Sequence, residues 1–567
     1  MANLVETDVL VIGGGGAAAR AALAASGAGA RTTLAVKGWF GWLGMRGAGA
    51  TGCGIAPWWG FSAGRGVPGK PDEETALNIA LILQAGLGMA DRKLVRSMVA
   101  GQEEARRDLE RYGAVVATGF KASDRRRLVQ VMPGLAYHVR GSEVSIRDHM
   151  MITDLLVKDG ACVGAIGIDE RSGEVWLFAA KATILATGGD AQLYTYSCHP
   201  SCMTGDGYAM AYHVGARLIN MEYMQSFLAT VYPSINLLWG GWSWRRYPRV
   251  TNALGEAVLP KYLPAGIEPK QCLWERGGHN PFSTRDRASR YLDVAIVKEV
   301  QAGRGTPHLG CFVEGLDPEN VSPEHGEWMR YRGIDLGGRL EVSSVHQCSD
   351  GGLYVSENAE TTLPGLYAVG EVSAGMHGAD RLGGHMMVNT QVFGKRAGLH
   401  AAKRSRGTDA PRLGDSVTGG ALARLDTLRQ AKGDVTPAQI LGALQRSAWA
   451  NMLAVRNETG LTEMLGLLRQ LRAESLPRLS AETPSDLVRA LELQNMVLVG
   501  EMVARAALLR TESRGGHYRE DYPERDDRNW LRAIEVRRDG TEMRLETFVI
   551  DPEWQDLPGD LGDWFWG

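Results

Sequence analysis

The sequence predicts an α/β fold in which a nucleotide-binding domain is assembled from two separated stretches, interrupted by an inserted α+β cap and followed by a helical domain. Three observations predict it. The apolar run Val9 to Ile12, the glycines Gly13 to Gly16, an Ala-rich helical pattern and a second apolar run, Thr32 to Val36, make one βαβ unit. Two later apolar runs marked by glycine, Ala182 to Ala186 before the turn Thr187 to Gly189, and Leu366 to Glu371 ending at Gly370, read as short buried strands far apart in the chain. Between them, from Asn220 to about Val345, the pattern turns irregular and rich in Trp, Pro and Gly, and after Ala410 it becomes helical.

Each element has its own justification. A glycine- and Trp-rich stretch, Gly38 to Gly69, follows the βαβ unit, and helical periodicity then covers Glu73 to Leu87 and Arg92 to Tyr112. Cys162 to Gly189 holds alternating strand segments about the turn Glu170 to Gly173 and closes back on the first sheet. The amphipathic run Ser485 to Glu512 begins at Pro484 and Ser485, and a polar link, Arg514 to Arg528, leads to short strand-like segments. The expected partition is 1–219 and 346–410 for the two parts of the nucleotide-binding domain, 220–345 for the cap, and 411–567 for the helical domain with its tail.

The bulk numbers bound the function. At 567 residues the chain exceeds one hydrophobic core, and two to four units are expected. Its 72 glycines point to tight turns and close backbone approaches. A net charge of -3 gives no footprint for nucleic acid and no polybasic run for an anionic membrane. Seven scattered cysteines suit a reducing cytosol; Cys198 and Cys202, the only close pair, lack the spacing of an iron-sulfur site and read as packing thiols, and no metal site is expected. The first strand starts too early for a signal sequence and no apolar stretch is long enough to span a membrane, so a soluble cytoplasmic protein is expected.

Gly13 to Ala18 fits GxGxxA directly after a strand and opening a helix. Gly13 permits the tight turn, Gly15 and Gly16 let backbone N–H groups reach a pyrophosphate, and Ala18 permits close packing of helix on sheet. At the end of the second strand Lys37 stands where an acidic ribose ligand is usual. With that departure, the combination resembles the fumarate reductase and succinate dehydrogenase flavoprotein family, in which a Ser-Lys-like pair takes the place. Ala182 to Gly189 is similar to its second FAD strand, Thr204 to Ala216 to its TGDGxxMAxxxGA helix, Leu366 to Glu371 and His377 to Gly383 to LYAxGE and HGANRLG, and Glu512 to Pro523 to its ESRGAHxREDxP tail. The resemblance runs in order from residue 6 to about residue 530, and it implies a glutathione-reductase-type FAD-binding domain with FAD as cofactor.

The resemblance also implies roles. Gly13, Gly15, Gly16, Ala18, Lys37 and Gly188 hold FAD, Asp206 contacts it, and Glu371 bonds the ribityl chain. Met386 and Met387 take the positions whose amides face the isoalloxazine, where a reduced flavin needs donors. Thr284 to Arg290 resembles the xRDVVxRx segment, which makes Arg285 the proton-transferring residue, and Arg381 aligns with the arginine that clamps a carboxylate. His346, Phe227 and His377 stand at substrate-binding positions.

Three departures matter. After Phe227 the chain continues Leu228-Ala229, without the histidine that binds a dicarboxylate in the family, and His346 lies one residue out of register with Gly351-Gly352. Arg46 to Thr51 holds no histidine to attach a flavin, so noncovalent FAD is expected. Trp39, Trp42, Trp58, Trp59, Trp239, Trp242 and Trp244 crowd the loops that should approach the flavin, either as a wall for a cyclic substrate or as packing anchors. The expected reaction is desaturation of a C–C bond, or reduction of a C=C bond, beside a carboxylate or carbonyl of a small molecule. Electrons would pass to O2, a small acceptor or a separate iron-sulfur or other redox subunit, and an oligomer is compatible. Enzymes resembling L-aspartate oxidase or adenylylsulfate reductase, and a non-catalytic flavin-binding module, stand as alternatives.

Overall fold

The structure, a computed structural model, describes residues 3–41, 71–113, 131–234, 237–238, 241–278, 281–284, 288–316, 327 and 329–552. Arg46 to Thr51, Trp42, Trp58, Trp59, Trp239, Cys53 and Arg285 lie outside the described residues, as does the side chain of Trp242.

β1 (Asn3–Ile12) is the centre of a seven-stranded sheet. It pairs in parallel with β2 (Thr32–Ala35) on one side and β6 (Val175–Leu185) on the other; β2 continues to β3 (Ser145–Arg147). The far edge of β6 is shared end to end. β5 (Ala161–Asp169), itself paired with β4 (Met150–Lys158), runs antiparallel along its first half, and β14 (Leu366–Ala368) runs parallel along its last three residues. The second stretch of the chain thus completes the sheet that the first began. β14 is shorter than the run Leu366 to Glu371, because Gly370, at φ +76°, turns the chain into a single 3-10 turn.

α1 (Gly16–Gly27) lies on this sheet against α5 (His385–Arg406), whose Gly394 and Gly398 face it. A Cβ on Gly398 would come 2.4 Å from the Ala21 carbonyl oxygen, so glycine is required for that approach. With Ala18, Ala21, Ala22 and Ala25 fully buried, α1 presents only small side chains on its inner face.

The inserted stretch makes a separate antiparallel sheet, in the order β10 (Arg249–Thr251), β11 (Cys311–Glu314), β12 (Leu340–Ser349), β8 (Met224–Tyr232) and β9 (Leu237–Leu238). α4 (Arg290–Gln301) packs on it, and Trp244 is buried in this core with Val258, Leu292 and Ile296. A third sheet joins β7 (Leu218–Ile219), β13 (Gly352–Tyr354) and β15 (Ser373–Ala374) to the hairpin β16 (Ala533–Asp539) and β17 (Glu542–Phe548). The chain's last described strands therefore close against its middle.

The C-terminal helices are α6 (Asp415–Arg429), α7 (Pro437–Ala448), α8 (Glu458–Gln470) and α9 (Pro484–Leu509). α9 starts as its sequence suggests, but the cap is Thr483, whose hydroxyl accepts from the Asp486 amide, with Pro484 in the first turn. The link that follows is pinned by buried charge. Arg510 pairs with Glu222 at 2.8 Å and Glu512 at 2.9 Å, and Arg514 with Glu512 at 2.8 Å, all four side chains fully buried. Removing one member would strand its partners at a cost of about 3–5 kcal/mol.

α2 (Arg92–Arg111) packs on α5, and α3 (Asp206–His213) packs on α9.

Candidate active site

The cofactor half is made from backbone. At the end of β1 the Gly13 amide donates to the Ala35 carbonyl at 2.9 Å, and a Cβ there would lie 2.1 Å from the Ala186 oxygen, so β1, β2 and β6 converge on a position open only to glycine. Gly15 is the N-cap of α1 and Gly16 its first residue; no side chain caps the helix and its first turn carries no acid. The N–H groups of this helix end and the helix dipole there form a receptor for an anion, and a pyrophosphate fits it.

Gly188, at φ +75°, and Gly189 extend this cradle beyond β6; a Cβ on Gly189 would meet the Glu371 carboxylate at 2.5 Å. Glu371, buried, accepts from the Ser349 amide at 2.9 Å. Lys37 donates to Asp206 at 2.6 Å, Thr204 at 2.8 Å and Glu492 at 2.9 Å, which ties the end of β2 to the first turn of α3 and to α9. Asn495 of α9 donates to the other Asp206 oxygen at 2.9 Å.

Gly384, at φ +76°, turns the chain into α5. The helix has no side-chain cap and no acid in its first turn, so the positive end of its dipole at Met386 and Met387 is uncompensated by charge. The Met387 amide is bonded to the Gly384 carbonyl at 3.0 Å. His385, buried between the Gly383 carbonyl and Asn78, is pushed by burial down to about 4 and is neutral at pH 7.

The other half of the candidate site is made from side chains. Arg381 is buried; it donates to the Leu382 carbonyl at 3.2 Å and to Gln347 Oε1 at 3.0 Å, and its Nε has no partner among the described residues. Burial opposes its charge, but Cys348, Asp350 and Asp380 around it raise its pKa above the ordinary value. Asp380 accepts from Gln225 at 2.6 Å and from Ser283 at 2.6 Å, so the segment that leads toward residue 285 is fastened beside Arg381.

The sequence-derived histidines fall differently. β12 carries a bulge between His346, opposite Ser226, and Cys348, opposite Gln225. His346 is fully buried, stacked on Tyr194 at 5.0 Å and bonded to the Ser349 hydroxyl at 3.2 Å. Burial holds its pKa well below the ordinary range. His377 is buried against Asn389, at 3.3 Å, and is likewise held neutral by burial and by Arg381. Phe227 is half-buried on β8 opposite Val345.

Four residues that sequence reading missed complete the cluster. The Ser349 hydroxyl donates to Asp190, whose carboxyl is pushed up to about 6 by burial, against that hydrogen bond and with help from Glu371. His199 bonds the Gln347 carbonyl through Nε2; burial opposes its charge, yet Cys198, Glu371 and that carbonyl raise it to about 10. The register offset of His346 against Gly351-Gly352 was the one visible trace of Gln347; nothing local marked Asp190, His199 or Ser349. Trp244 is a packing anchor of the cap core, and Trp39, 44% exposed, meets His149 edge-on. Among the described residues no cluster suits a metal ion, and no helix is long and apolar enough to cross a membrane.

The family model described as FAD binding domain matches residues 8–238 and 313–387, and that described as fumarate reductase flavoprotein C-term matches 442–555. The chain is 32% identical to one subunit of the fumarate reductase (CoM/CoB) of Methanothermobacter marburgensis over 94% of itself and 98% of that protein. The structure of Mycobacterium smegmatis Sdh1 in complex with UQ1 superposes with a TM-score of 0.80 at 26% identity, covering 97% and 96% of the two chains. Adenylylsulfate reductase of Archaeoglobus fulgidus shares the fold, with a TM-score of 0.70 at 20% identity over 97% of each chain.

Proposed function

This chain belongs to the fumarate reductase and succinate dehydrogenase flavoprotein family and is an FAD-dependent oxidoreductase; from that premise we infer that it desaturates a C–C bond, or reduces a C=C bond, beside a carboxylate or carbonyl. The observation that carries the reading is on β12. Gln347 touches Arg381 and, two residues on, Ser349 touches Glu371, so one short stretch of β12 holds the candidate clamp beside the cofactor cradle.

FAD, when bound, accepts or gives the hydride equivalent of this reaction. The glycine turn Gly13, Gly15 and Gly16, packed through Ala18, holds its pyrophosphate; Lys37, Gly188 and Asp206 position the ADP part and Glu371 the ribityl chain. Met386 and Met387 at the positive end of α5 stabilise negative charge on the ring. Without a histidine in Arg46 to Thr51, the cofactor is held noncovalently.

Arg381 fixes the substrate carboxylate or carbonyl oxygen and stays charged while buried, which is ordinary chemistry for a guanidinium. Arg285 moves the proton, a role that rests on the resemblance of its segment. Phe227 and His377 border the substrate, His377 as a neutral ring. Electrons leave through a separate redox protein or a small acceptor, a reading supported by the Methanothermobacter relative, which is named as one subunit of its enzyme, and by the absence of iron-sulfur cysteine spacing in the sequence.

The test is an anaerobic titration of the FAD-loaded protein, followed at the flavin bands. Bleaching by a saturated acid or ketone supports the desaturase reading and begins to name the substrate. Re-oxidation of dithionite-reduced flavin by fumarate or another unsaturated acid supports the reductive direction. Bleaching only by sulfite with AMP moves the assignment to adenylylsulfate chemistry, and indifference to every compound in both redox states overturns the reading.

A further inference from the structure

We propose that His385 is the group that takes up a proton when the flavin is reduced, and so compensates the negative charge that reduction leaves beside the N-terminus of α5. The inference rests on the reading that Met386 and Met387 face the flavin ring.

The surroundings of the two ring nitrogens carry it. Nδ1 lies 3.1 Å from the Gly383 carbonyl oxygen and Nε2 lies 3.2 Å from Asn78 Oδ1, so both face acceptors. A neutral imidazole has one N–H and serves one of these oxygens; an imidazolium has two and serves both. The orientation of Asn78 is set from its far side, where its Nδ2 donates to Gln102 Oε1 at 2.6 Å. His385, Asn78 and Gln102 are all buried. Turning both amides end for end exchanges donor and acceptor, so the Asn78–Gln102 pair accommodates the neutral ring as well.

His377, the other buried histidine of this segment, is built the opposite way. Its Nε2 meets the Asn389 amide nitrogen at 3.3 Å, and that nitrogen also donates to the Gly370 carbonyl at 3.3 Å, so Nε2 is the acceptor. A neutral ring then carries its proton on Nδ1, which has no partner among the described residues. An added proton on Nε2 would set donor against donor. Of the two rings, His385 is the one with an oxygen waiting for each N–H.

Charge decides when the ring fills both bonds. Burial, and after it Arg381, hold the His385 pKa down to about 4 against the pull of the Gly383 carbonyl, and the positive end of α5 also opposes a cation there. The titratable groups that face it, Arg381 and His377, lie on its own segment; Asn78, from the helix Pro71–Ala85, and Gln102, from α2, are neutral. Among the described residues no carboxylate raises it, so a compensating negative charge must come from the ligand. Two electrons and one proton delivered to the flavin leave one negative charge there. A second proton, drawn from solvent onto His385, leaves the pair neutral. An opposite charge within about 4–6 Å raises a pKa by about 1–3, which brings His385 to between about 5 and 7 in the reduced protein.

The experiment measures the flavin midpoint potential of the FAD-loaded protein from about pH 5 to pH 9 for wild type, His385→Asn and Asn78→Asp. One proton taken up with an electron pair lowers the potential by about 30 mV per pH unit, and two protons lower it by about 60 mV. Wild type is expected to show the steeper slope up to an inflection between about pH 5 and pH 7, and the shallower slope above it. His385→Asn has no ring to protonate and should keep the shallow slope throughout. Asn78→Asp sets a carboxylate against Nε2, holds the imidazolium in both redox states and should flatten the slope below pH 7 as well; it decides alone if His385→Asn does not retain FAD. A shallow wild-type slope at every pH, or an inflection that survives in the variants, overturns the inference. If a variant with a surviving inflection still displaces the flavin bands, α5 faces the ring and only this inference falls. If both variants match wild type in bands and potential, the placement of α5 falls with it.

Discussion

Around Gly13 the molecule builds its site from main chain, and around Arg381 from side chains. The glycine turn brings β1, β2 and β6 within contact of each other using no charge, and its binding groups are N–H donors of one helix end. The Arg381 cluster instead gathers Gln225, Ser283, Gln347, Cys348 and Asp350 from three separated stretches, all buried or half-buried, with two carboxyl groups and a thiol close by. Main-chain geometry tolerates almost no substitution at its few glycines but is indifferent to what surrounds them. A buried polar cluster is the reverse: each member can be exchanged, and each exchange changes charge balance and hence chemistry.

The largest expected effect tests the first region. Gly13→Val places a branched side chain where even a Cβ overlaps the Ala186 oxygen, and the purified protein should retain less than about a tenth of its flavin absorbance. Retention of most of the flavin would show that the turn can relax, and the contrast between the regions would fail.

Arg381→Ala is the matching break in the second region. It should lower kcat/KM by about 100- to 1,000-fold while the flavin content stays that of wild type, because the residue touches none of the glycine turn. Loss of flavin together with activity would mean the halves are not separable.

Asp190 sharpens the comparison through pH. Its pKa rises from an ordinary 3.8 to about 6, so between those values the unfolded chain loses a proton that the folded chain keeps. Stability from this group is therefore greatest below pH 3.8, falls as pH rises toward 6 and is flat above it. Asp190→Asn should remove that slope, gaining up to about 3 kcal/mol on wild type between pH 4 and pH 7 in urea unfolding. An identical pH dependence in the two proteins would show that the Ser349 hydroxyl and His199 already balance the charge.

The smallest effect serves as the reference for both regions. Arg424 forms a two-pronged pair with Asp154 at 2.8 and 2.9 Å between α6 and β4, but is 42% exposed. Arg424→Ala should shift the melting temperature by less than about 2 °C and leave flavin content and turnover alone.

Legibility followed the same division. The βαβ unit, the short strand returning to β6 and the long helix α9 are local patterns of period and glycine placement, and the structure has them in those places, with the strand cut back to Leu366–Ala368 and α9 ending at Leu509 rather than Glu512. The candidate site was legible only as motif positions, Arg381 and Glu371, both of which the structure buries beside β12. It was not legible at Gln347, Asp190, His199 and Ser349, because their positions follow from pairing across β8 and β12 and from a loop that reaches β12 from residue 196 onward. Arg285 remains known from its sequence segment.

By itself the sequence determined the α/β class, the FAD-binding turn and the family, and it marked Arg381 as the candidate clamp, since each depends on residue types at fixed short spacing. Only the tertiary structure decided which side chain stands in front of that clamp. One extra residue in a strand swaps the two faces of the sheet, and a linear pattern that names His346 cannot say that the bulge has buried it and turned Gln347 to Arg381 in its place.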